Sequence, residues 1–100
     1  MSFLERLIGL TLSRTTESHD SLQLFFDGNV RMNIDNPWTL EPPGADLTGR
    51  SCVGVEDSLE DVVLRFEGNV SFRVDLRSES YRGPEAMTLS IPGQPLVVWN

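Results

Sequence analysis

The sequence predicts a mainly β protein of about eight antiparallel strands, built from two copies of a three-stranded meander. The first observation is a repeat, because the Phe-Asp-Gly-Asn-Val segment at residues 26–30 returns as Phe-Glu-Gly-Asn-Val at residues 66–70. The second is that apolar and polar residues alternate on both sides of each copy, which is typical of strands with one buried face. The repeat extends without a gap over about residues 7–35 and 47–75, which indicates duplication. Two such units either pair their apolar faces or continue one sheet, so a sandwich or a strongly bent sheet is expected.

The length of 100 residues predicts a single domain spanning 1–100. With 39% apolar and 23% charged residues, the composition is that of an ordinary globular protein with a packed core. A chain of this size supports one core and leaves little room for an enclosed active site.

The first unit is expected to begin with a short helix that ends near Gly9, because four apolar residues at helical spacing precede this glycine. Residues 10–16 predict the first strand, and residues 17–21 predict a polar turn. The next two strands follow from apolar residues at every second position, namely Leu22, Leu24, Phe26, Val30, Met32 and Ile34.

The parity of these residues predicts the turn between the two strands. All six lie at even positions, and directly opposite residues in an antiparallel pair share a face. Phe26 must therefore pair with Val30 across a three-residue loop, with Gly28 or Asn29 at positive φ. A two-residue Asp-Gly loop would instead set Phe26 opposite Arg31 and place the two apolar rows on opposite faces. The second copy shows the same parity.

Residues 36–48 are predicted to connect the two units. They contain Asn-Pro and Pro-Pro-Gly, which are typical of loops. Trp38 and Leu40 are expected to pack on the core from this connector, and residues 45–47 to form a helical turn.

The C-terminal part is predicted to contain a polar loop over residues 77–85 and a hairpin over residues 86–99. A two-residue loop at Gly93-Gln94 fits the parity and places Leu96 and Val98 on the apolar face. Pro95 weakens this interpretation, because proline lacks the N–H that the turn requires.

The net charge limits the partners. Fifteen acidic residues against eight basic ones give −7, and a field of that sign repels nucleic acid and anionic membrane surfaces. A basic protein partner would be attracted. The alternative is that the charge serves only to keep the protein in solution.

Three features point to the cytoplasm. Cys52 is the only cysteine, which excludes an intramolecular disulfide, and its apolar strand predicts a buried, inert thiol. The first ten residues lack the charged region and unbroken apolar run of a signal peptide. No apolar run approaches the length of a membrane-spanning helix.

No motif for catalysis, a cofactor or a metal is present, so no enzymatic activity is expected. His19 lies between Ser18 and Asp20, but neighbours within one turn rarely have the geometry of a catalytic triad. The segment from Asp27 to Asn29 lacks the ligand pattern of a calcium loop, because apolar residues occupy the positions that follow. An enzyme or a small-ligand carrier would need a deep pocket with convergent polar groups.

The candidate site is an acidic cluster of four carboxylates within six residues, in the turn before the fifth strand. It is a solvated loop or a patch that docks on basic groups, and an ion site is the third alternative. Tyr81, in the polar loop, is the best candidate for an exposed aromatic anchor, and packing on the core is the alternative. The predicted partner-binding residues are Glu56, Asp57, Glu60, Asp61, Tyr81 and Asp20.

Several segments carry a resemblance that covers nearly the whole chain. They are Leu-Ile-Gly at residues 7–9, the repeated Phe-Asp/Glu-Gly-Asn-Val, residues 81–85 and residues 89–99. In these the chain resembles a family of small uncharacterised bacterial β-proteins, frequent in actinobacteria. The matching positions are turn and core residues, so the resemblance implies a fold and gives no catalytic positions.

By its small size and acidic composition the chain is also similar to immunity proteins of bacterial toxin systems, including contact-dependent inhibition. That similarity implies a cytoplasmic binding protein that neutralises a toxin, for instance a nuclease, by occluding its basic cleft. The alternative is a structural β domain without a toxin partner, which self-associates through an exposed strand edge, such as that of the C-terminal hairpin, to form a homodimer.

Overall fold

The computed structural model describes residues 3–100 as nine strands in two antiparallel sheets, which confirms the mainly β prediction with one strand more than expected. The strands are β1 (Leu12–Glu17), β2 (Leu22–Phe26), β3 (Val30–Ile34), β4 (Trp38–Glu41), β5 (Cys52–Asp57), β6 (Asp61–Phe66), β7 (Val70–Asp75), β8 (Met87–Ser90) and β9 (Val97–Trp99). The five-stranded sheet has the order β1-β2-β3-β8-β9, and the four-stranded sheet has the order β4-β7-β6-β5.

The helices of the described residues are short 3-10 segments at Phe3–Leu7, Asp27–Asn29 and Ser78–Ser80. The predicted N-terminal helix is the first of them, which buries Leu4 and Leu7. Gly9 follows at φ 91°, a left-handed conformation that favours glycine. None of these segments, within the part of the chain described, is long and apolar enough to cross a membrane.

The predicted three-residue turn is confirmed in both copies. Phe26 pairs with Val30 across Asp27–Asn29, with Gly28 at φ 75° and Asn29 at φ 62°. The turn between β6 and β7 repeats this register and both positive φ angles. The even apolar rows of β2 and β3 therefore share one buried face.

The two meanders, β1–β3 and β5–β7, are related by an approximate twofold axis. Thr11 forms an antiparallel bridge with Ser51, which is the equivalent residue of the second copy, 40 positions later. Their hydroxyl oxygens are 3.0 Å apart. The rings of Phe26 and Phe66, also equivalent, stack with centroids 6.4 Å apart. An antiparallel bridge between two equivalent residues requires a twofold axis between them, so the two units face each other across this axis.

The fourth strand of each unit crosses to the sheet of the other. β4 follows the first meander but pairs with β7, and β8 follows the second meander but pairs with β3. Trp38 in β4 lies opposite Val74, and Met87 in β8 lies opposite Ile34. Ile34 and Val74 occupy the same position in the two copies. Trp38 and Met87 are therefore structurally equivalent. This exchange links the two sheets covalently in both directions.

The prediction that residues 36–48 are only a connector was wrong, because they contain β4. This strand is four residues long, lies between Pro37 and Pro42, and occupies the end of its sheet. Prolines are tolerated beside a short edge strand. The predicted packing of Trp38 and Leu40 on the core is confirmed.

The helical turn predicted over residues 45–47 is absent. The side chain of Asp46 instead accepts a hydrogen bond from the backbone N–H of Thr48, at 3.0 Å. Such a local bond stabilises a turn in competition with a helix.

The C-terminal hairpin exists, but its predicted loop and register were wrong. Leu89 pairs with Val97, so Val97 and Trp99 pack against the core, and Leu96 is 57% exposed. The loop contains a turn in which the N–H of Gln94 donates to the carbonyl of Ile91 at 3.0 Å, and Gly93 has φ 78°. Proline before such a glycine fits a type II turn, and Pro95 cannot supply the N–H of a two-residue loop.

The core is formed by the inner faces of both sheets. Its largest fully buried side chains are Phe66, Phe72, Leu4, Leu7, Leu12, Leu24, Met32, Ile34, Leu64, Met87, Leu89 and Val62. Members come from both meanders and from the exchanged β8, so neither unit has a separate core.

Candidate functional site

The acidic cluster lies on one hairpin. Glu56 and Asp57 end β5, Glu60 lies in the turn, and Asp61 begins β6. The four carboxylates predicted from the sequence are thus close together, although most of them lie on strands and not in the turn. We call Glu56–Asp61 the acidic hairpin.

Ser58 holds the turn of the acidic hairpin in a single geometry. Its N–H donates to the carbonyl of Asp61 at 2.9 Å, and its hydroxyl donates to the same carbonyl at 3.1 Å. The hydroxyl oxygen also accepts from the N–H groups of Glu60, at 3.3 Å, and Asp61, at 3.1 Å. The residue between these groups, Leu59, is 94% exposed. A large apolar side chain is therefore presented to solvent by a hydrogen-bonded turn.

The equivalent turn of the first unit has the same backbone hydrogen bond but a polar tip. The N–H of Ser18 donates to the carbonyl of Ser21 at 2.9 Å. His19, at the position of Leu59, has a 96% exposed side chain, with Asp20 3.9 Å away. The apolar tip is therefore specific to the second unit.

Ion pairs line the outer face of the four-stranded sheet beside the hairpin. Arg65 pairs with Glu56, and Arg73 pairs with Asp61 at 3.2 Å. Val63 lies opposite Glu56 on one side and Arg73 on the other, and it is only 6% exposed although it faces outward. Long charged side chains thus flank Val63 on both sides, and arginine can cover apolar surface with its aliphatic stem while its charged group stays in water.

A groove of about 380 Å³ separates the acidic hairpin from β4. Its lining residues are Pro37, Trp38, Thr39, Glu60, Asp61, Arg73, Asp75 and Arg77. The groove is open and carries more acidic than basic side chains. It fits a surface that contacts a partner better than a pocket that encloses a small substrate.

Asp75, at the end of β7, anchors the residues that follow this strand. Its carboxylate accepts from the Arg77 guanidinium at 2.7 Å, from the Arg77 N–H at 2.9 Å and from the Ser80 hydroxyl at 2.8 Å. These bonds hold the pKa of Asp75 well below its usual range. The side chain of Arg77 has the largest effect, and the backbone N–H of Arg77 and the hydroxyl of Ser80 have smaller ones. The carboxylate is therefore ionised and committed to structural bonds.

The other two predicted residues lie elsewhere. Asp20 lines a second open groove of about 460 Å³, with Asp35 and residues 82–85. Tyr81 is half-buried against the core, which corresponds to the packing alternative and not to a fully exposed anchor. It follows the 3-10 segment that the bond from Ser80 to Asp75 holds against the sheet. The structure thus groups four of the six residues and separates the remaining two.

Sequence reasoning missed Leu59 as a site residue. The sequence did contain a sign of its role. When the two copies are aligned, Leu59 corresponds to the polar His19, so the turn does not need an apolar residue at this position. Trp38, which was predicted to pack on the core and was not among the predicted partner-binding residues, borders the groove.

The cysteine thiol and the potential metal ligands are the other candidates for a site of chemistry. Burial raises the pKa of the Cys52 thiol, and its Sγ lies 3.5 Å from the carbonyl of Gly54, so the thiol is protonated and enclosed. The described residues include no group of three or more histidine, cysteine, aspartate or glutamate side chains placed to hold a metal ion.

Comparisons of the chain with protein-family models, with curated proteins and with solved structures gave no match. The resemblances inferred from the sequence therefore stay predictions. The geometry of the acidic hairpin is the remaining basis for a functional proposal.

Proposed function

We propose that the protein is a non-enzymatic binding module, and specifically a cytoplasmic immunity protein that neutralises a bacterial toxin by covering its basic active-site cleft. The observation that carries the proposal is Leu59, which is 94% exposed at the tip of the acidic hairpin. The cleft of a nuclease, which binds phosphates, has the complementary charge.

The hairpin combines two properties of a tight interface. Burying an exposed leucine releases about 1.5–3 kcal/mol of transfer free energy. The turn is already fixed by Ser58, so little conformational entropy is lost when it binds. A mobile loop with the same residues would lose part of this gain.

The surrounding carboxylates supply steering and competition. Acidic groups around an apolar contact speed association with a basic cleft and suppress other partners. Glu60 lies beside Leu59, and Asp57 precedes the turn. In the bound state these carboxylates occupy the positions that phosphates of the nucleic acid would take, so inhibition is steric and electrostatic.

The test is binding and protection against the product of the gene immediately upstream. We expect co-expression to restore growth and calorimetry to detect a complex. Leu59→Ala is expected to weaken the complex about tenfold or more, from the lost apolar burial. His19→Ala, at the equivalent exposed tip, is the matched control and is expected to have no effect. Absence of both binding and protection would refute the proposal.

A second candidate function is self-association as a structural β domain, forming a homodimer. It is favoured by β9, which is the edge of its sheet and lies beside the exposed Leu96. Sedimentation equilibrium distinguishes the two. A homodimer predicts a mass that rises with concentration, and a constant monomer mass would contradict it.

A further inference from the structure

The approximate twofold symmetry is broken at one place, where a strand is missing. β8 pairs with β3 on one side and with β9 on the other. Its equivalent, β4, pairs with β7 and ends its sheet. Among residues 3–100, no strand occupies the position beside β4 that β9 occupies beside β8.

The backbone of β4 is oriented to receive such a strand. The N–H of Asp75 donates to the carbonyl of Pro37 at 3.0 Å, which marks this opposed pair as hydrogen-bonded. Hydrogen-bonded and non-hydrogen-bonded pairs alternate along antiparallel strands. The N–H and C=O groups of Trp38 and Leu40 therefore point away from β7, toward the open edge. Their equivalents, Met87 and Leu89, use these groups to pair with β9.

The core-facing side chains of β4 are also less buried than their equivalents in β8. Met87 and Leu89, beside β9, are 0% exposed. Trp38 and Leu40 pack against the core but are only half-buried. An added strand with apolar side chains facing the core would cover them, as Val97 and Trp99 of β9 extend the apolar face beside β8.

We propose that the outer edge of β4 binds an extended segment of the protein partner as an additional antiparallel strand, with apolar side chains toward the core and basic side chains between them. The basic residues follow from the charges beside this edge that form no ion pair with an arginine of residues 3–100. Glu41 ends β4 and Glu60 lines the adjoining groove, whereas Asp61 and Asp75 in that groove are paired with Arg73 and Arg77. Pairing of two copies would instead bring together two chains that each carry a net charge of −7. The inference rests on the proposed binding function and adds a second contact to it.

The first test uses a synthetic six-residue peptide, acetyl-Lys-Val-Lys-Trp-Lys-Val-amide, with the full-length ¹⁵N-labelled protein. The expected result is a chemical-shift change and slower hydrogen exchange at the N–H groups of Trp38 and Leu40. A peptide with glutamate in place of lysine is expected to bind at least about tenfold more weakly. Shift changes confined to β5 or β9, or none at all, would overturn the proposal.

Backbone methylation of the peptide provides a control that leaves the protein unchanged. Residues opposite Trp38 and Leu40 share their face and direct their N–H groups at β4. Methylation of the valine and tryptophan nitrogens is therefore expected to abolish binding. Methylation of the lysine nitrogens is expected to preserve it. Equal effects of the two peptides would exclude strand addition.

A pair of protein variants tests the same hydrogen bonds from the other side. Leu40→Pro removes an outward N–H, and Leu40→Ala keeps it but shortens the side chain. We expect the proline variant to lose about tenfold more peptide affinity than the alanine variant. If Leu40→Pro fails to fold, the methylated peptides decide. Sedimentation to a dimer with β4 amides protected in the absence of peptide would assign the edge to a second copy and overturn the proposal.

The outcome is separable from that of the toxin test. Peptide addition at β4 concerns the edge, and Leu59→Ala concerns the acidic hairpin. If the peptide does not bind at β4 but the toxin still binds, the strand-addition proposal alone is refuted and the proposed function stands.

Discussion

The two meanders share a backbone and differ at their surfaces. Each has the same positive-φ turn, and each has a register shift at the same place in its first strand, after Leu12 and after Cys52. Their outer faces differ in kind. The first carries a ladder of uncharged and acidic polar groups from Thr16 through Gln23 and Asn33, and the second carries ion pairs. The two units therefore share their turns and their core and differ at their surfaces.

The divergence is greatest at the hairpin tips and at the fourth strands. His19 is the counterpart of Leu59 at the tips, and β8 is covered by β9 where β4 is open. The acidic hairpin and β4, which carry the two unmatched apolar features, border the same groove. A binding surface that spans these two features would use what the four-stranded sheet has and the five-stranded sheet lacks.

The largest expected effect tests the shared core. Phe66→Ala and Phe26→Ala each remove a buried ring at the axis and are expected to destabilise the protein by about 3–5 kcal/mol. Because the rings stack on each other, the double variant is expected to lose less than the sum. Urea unfolding of the four proteins measures this. Strict additivity would show that the two units do not share a core at this point.

The turn glycines provide a smaller effect with a difference between the copies. Gly28→Ala and Gly68→Ala both force alanine into positive φ, which costs about 1–2 kcal/mol. At Gly68 the new methyl would also lie 2.5 Å from Nη1 of Arg50, which donates to the carbonyl of Glu67. Gly28 has open space at this position. Thermal unfolding is expected to rank Gly68→Ala as the more destabilising change, and the reverse order would contradict this contact with Arg50.

The acid sensitivity of stability is expected to depend on Asp75. Arg77 and Ser80 lower the folded-state pKa of Asp75, whereas the side chain of its equivalent, Asp35, accepts a hydrogen bond from the uncharged amide of Asn33, at 3.3 Å. A lowered folded-state pKa stabilises the protein fully above the unfolded-state pKa of about 4, and this contribution is lost as the pH falls toward the folded-state value.

Asp75→Asn should therefore flatten the decline in unfolding free energy between about pH 5 and pH 2. Asp35→Asn, the same change at the equivalent position of the first unit, is the matched control. Unfolding by urea across this pH range measures both. An identical profile for Asp75→Asn and the unaltered protein would contradict the assigned bonds.

The smallest expected effect concerns the exposed ion pairs. Glu56→Gln breaks the pair with Arg65 and is expected to cost less than about 1 kcal/mol, because both side chains are more than half exposed to water. The cost should shrink as salt is added. Thr16→Ala, at the equivalent position of the first unit, removes a hydrogen bond between two uncharged side chains and should show no dependence on salt. A salt-independent loss at Glu56 would indicate a packing role instead.

Features set by local parity and turn chemistry were predictable from the sequence. The even spacing from Leu22 to Ile34 determined the turn, its register and the buried face. The exchange of fourth strands was not predictable, because Pro37 and Pro42 gave the intervening residues the composition of a loop. Strand order depends on tertiary pairing, which a short edge strand does not reveal.

The candidate site was partly predictable for a similar reason. Charge density located the acidic hairpin, since four carboxylates in sequence also lie together on one hairpin. Exposure was not predictable. Tyr81 lies in a polar segment and is half-buried, whereas Leu59 is apolar and fully presented, because a fixed turn determined its direction.

The most direct test is to exchange the two hairpin tips within one chain, placing residues 57–61 at positions 17–21 and the reverse. Both turns have the same backbone hydrogen bond, so the exchanged protein is expected to fold. Calorimetry against the upstream gene product then measures affinity. We predict that binding is lost, because the acidic, leucine-tipped turn no longer borders the groove beside β4. Unchanged affinity would show that the acidic hairpin, in its place on the second unit, is not the binding surface.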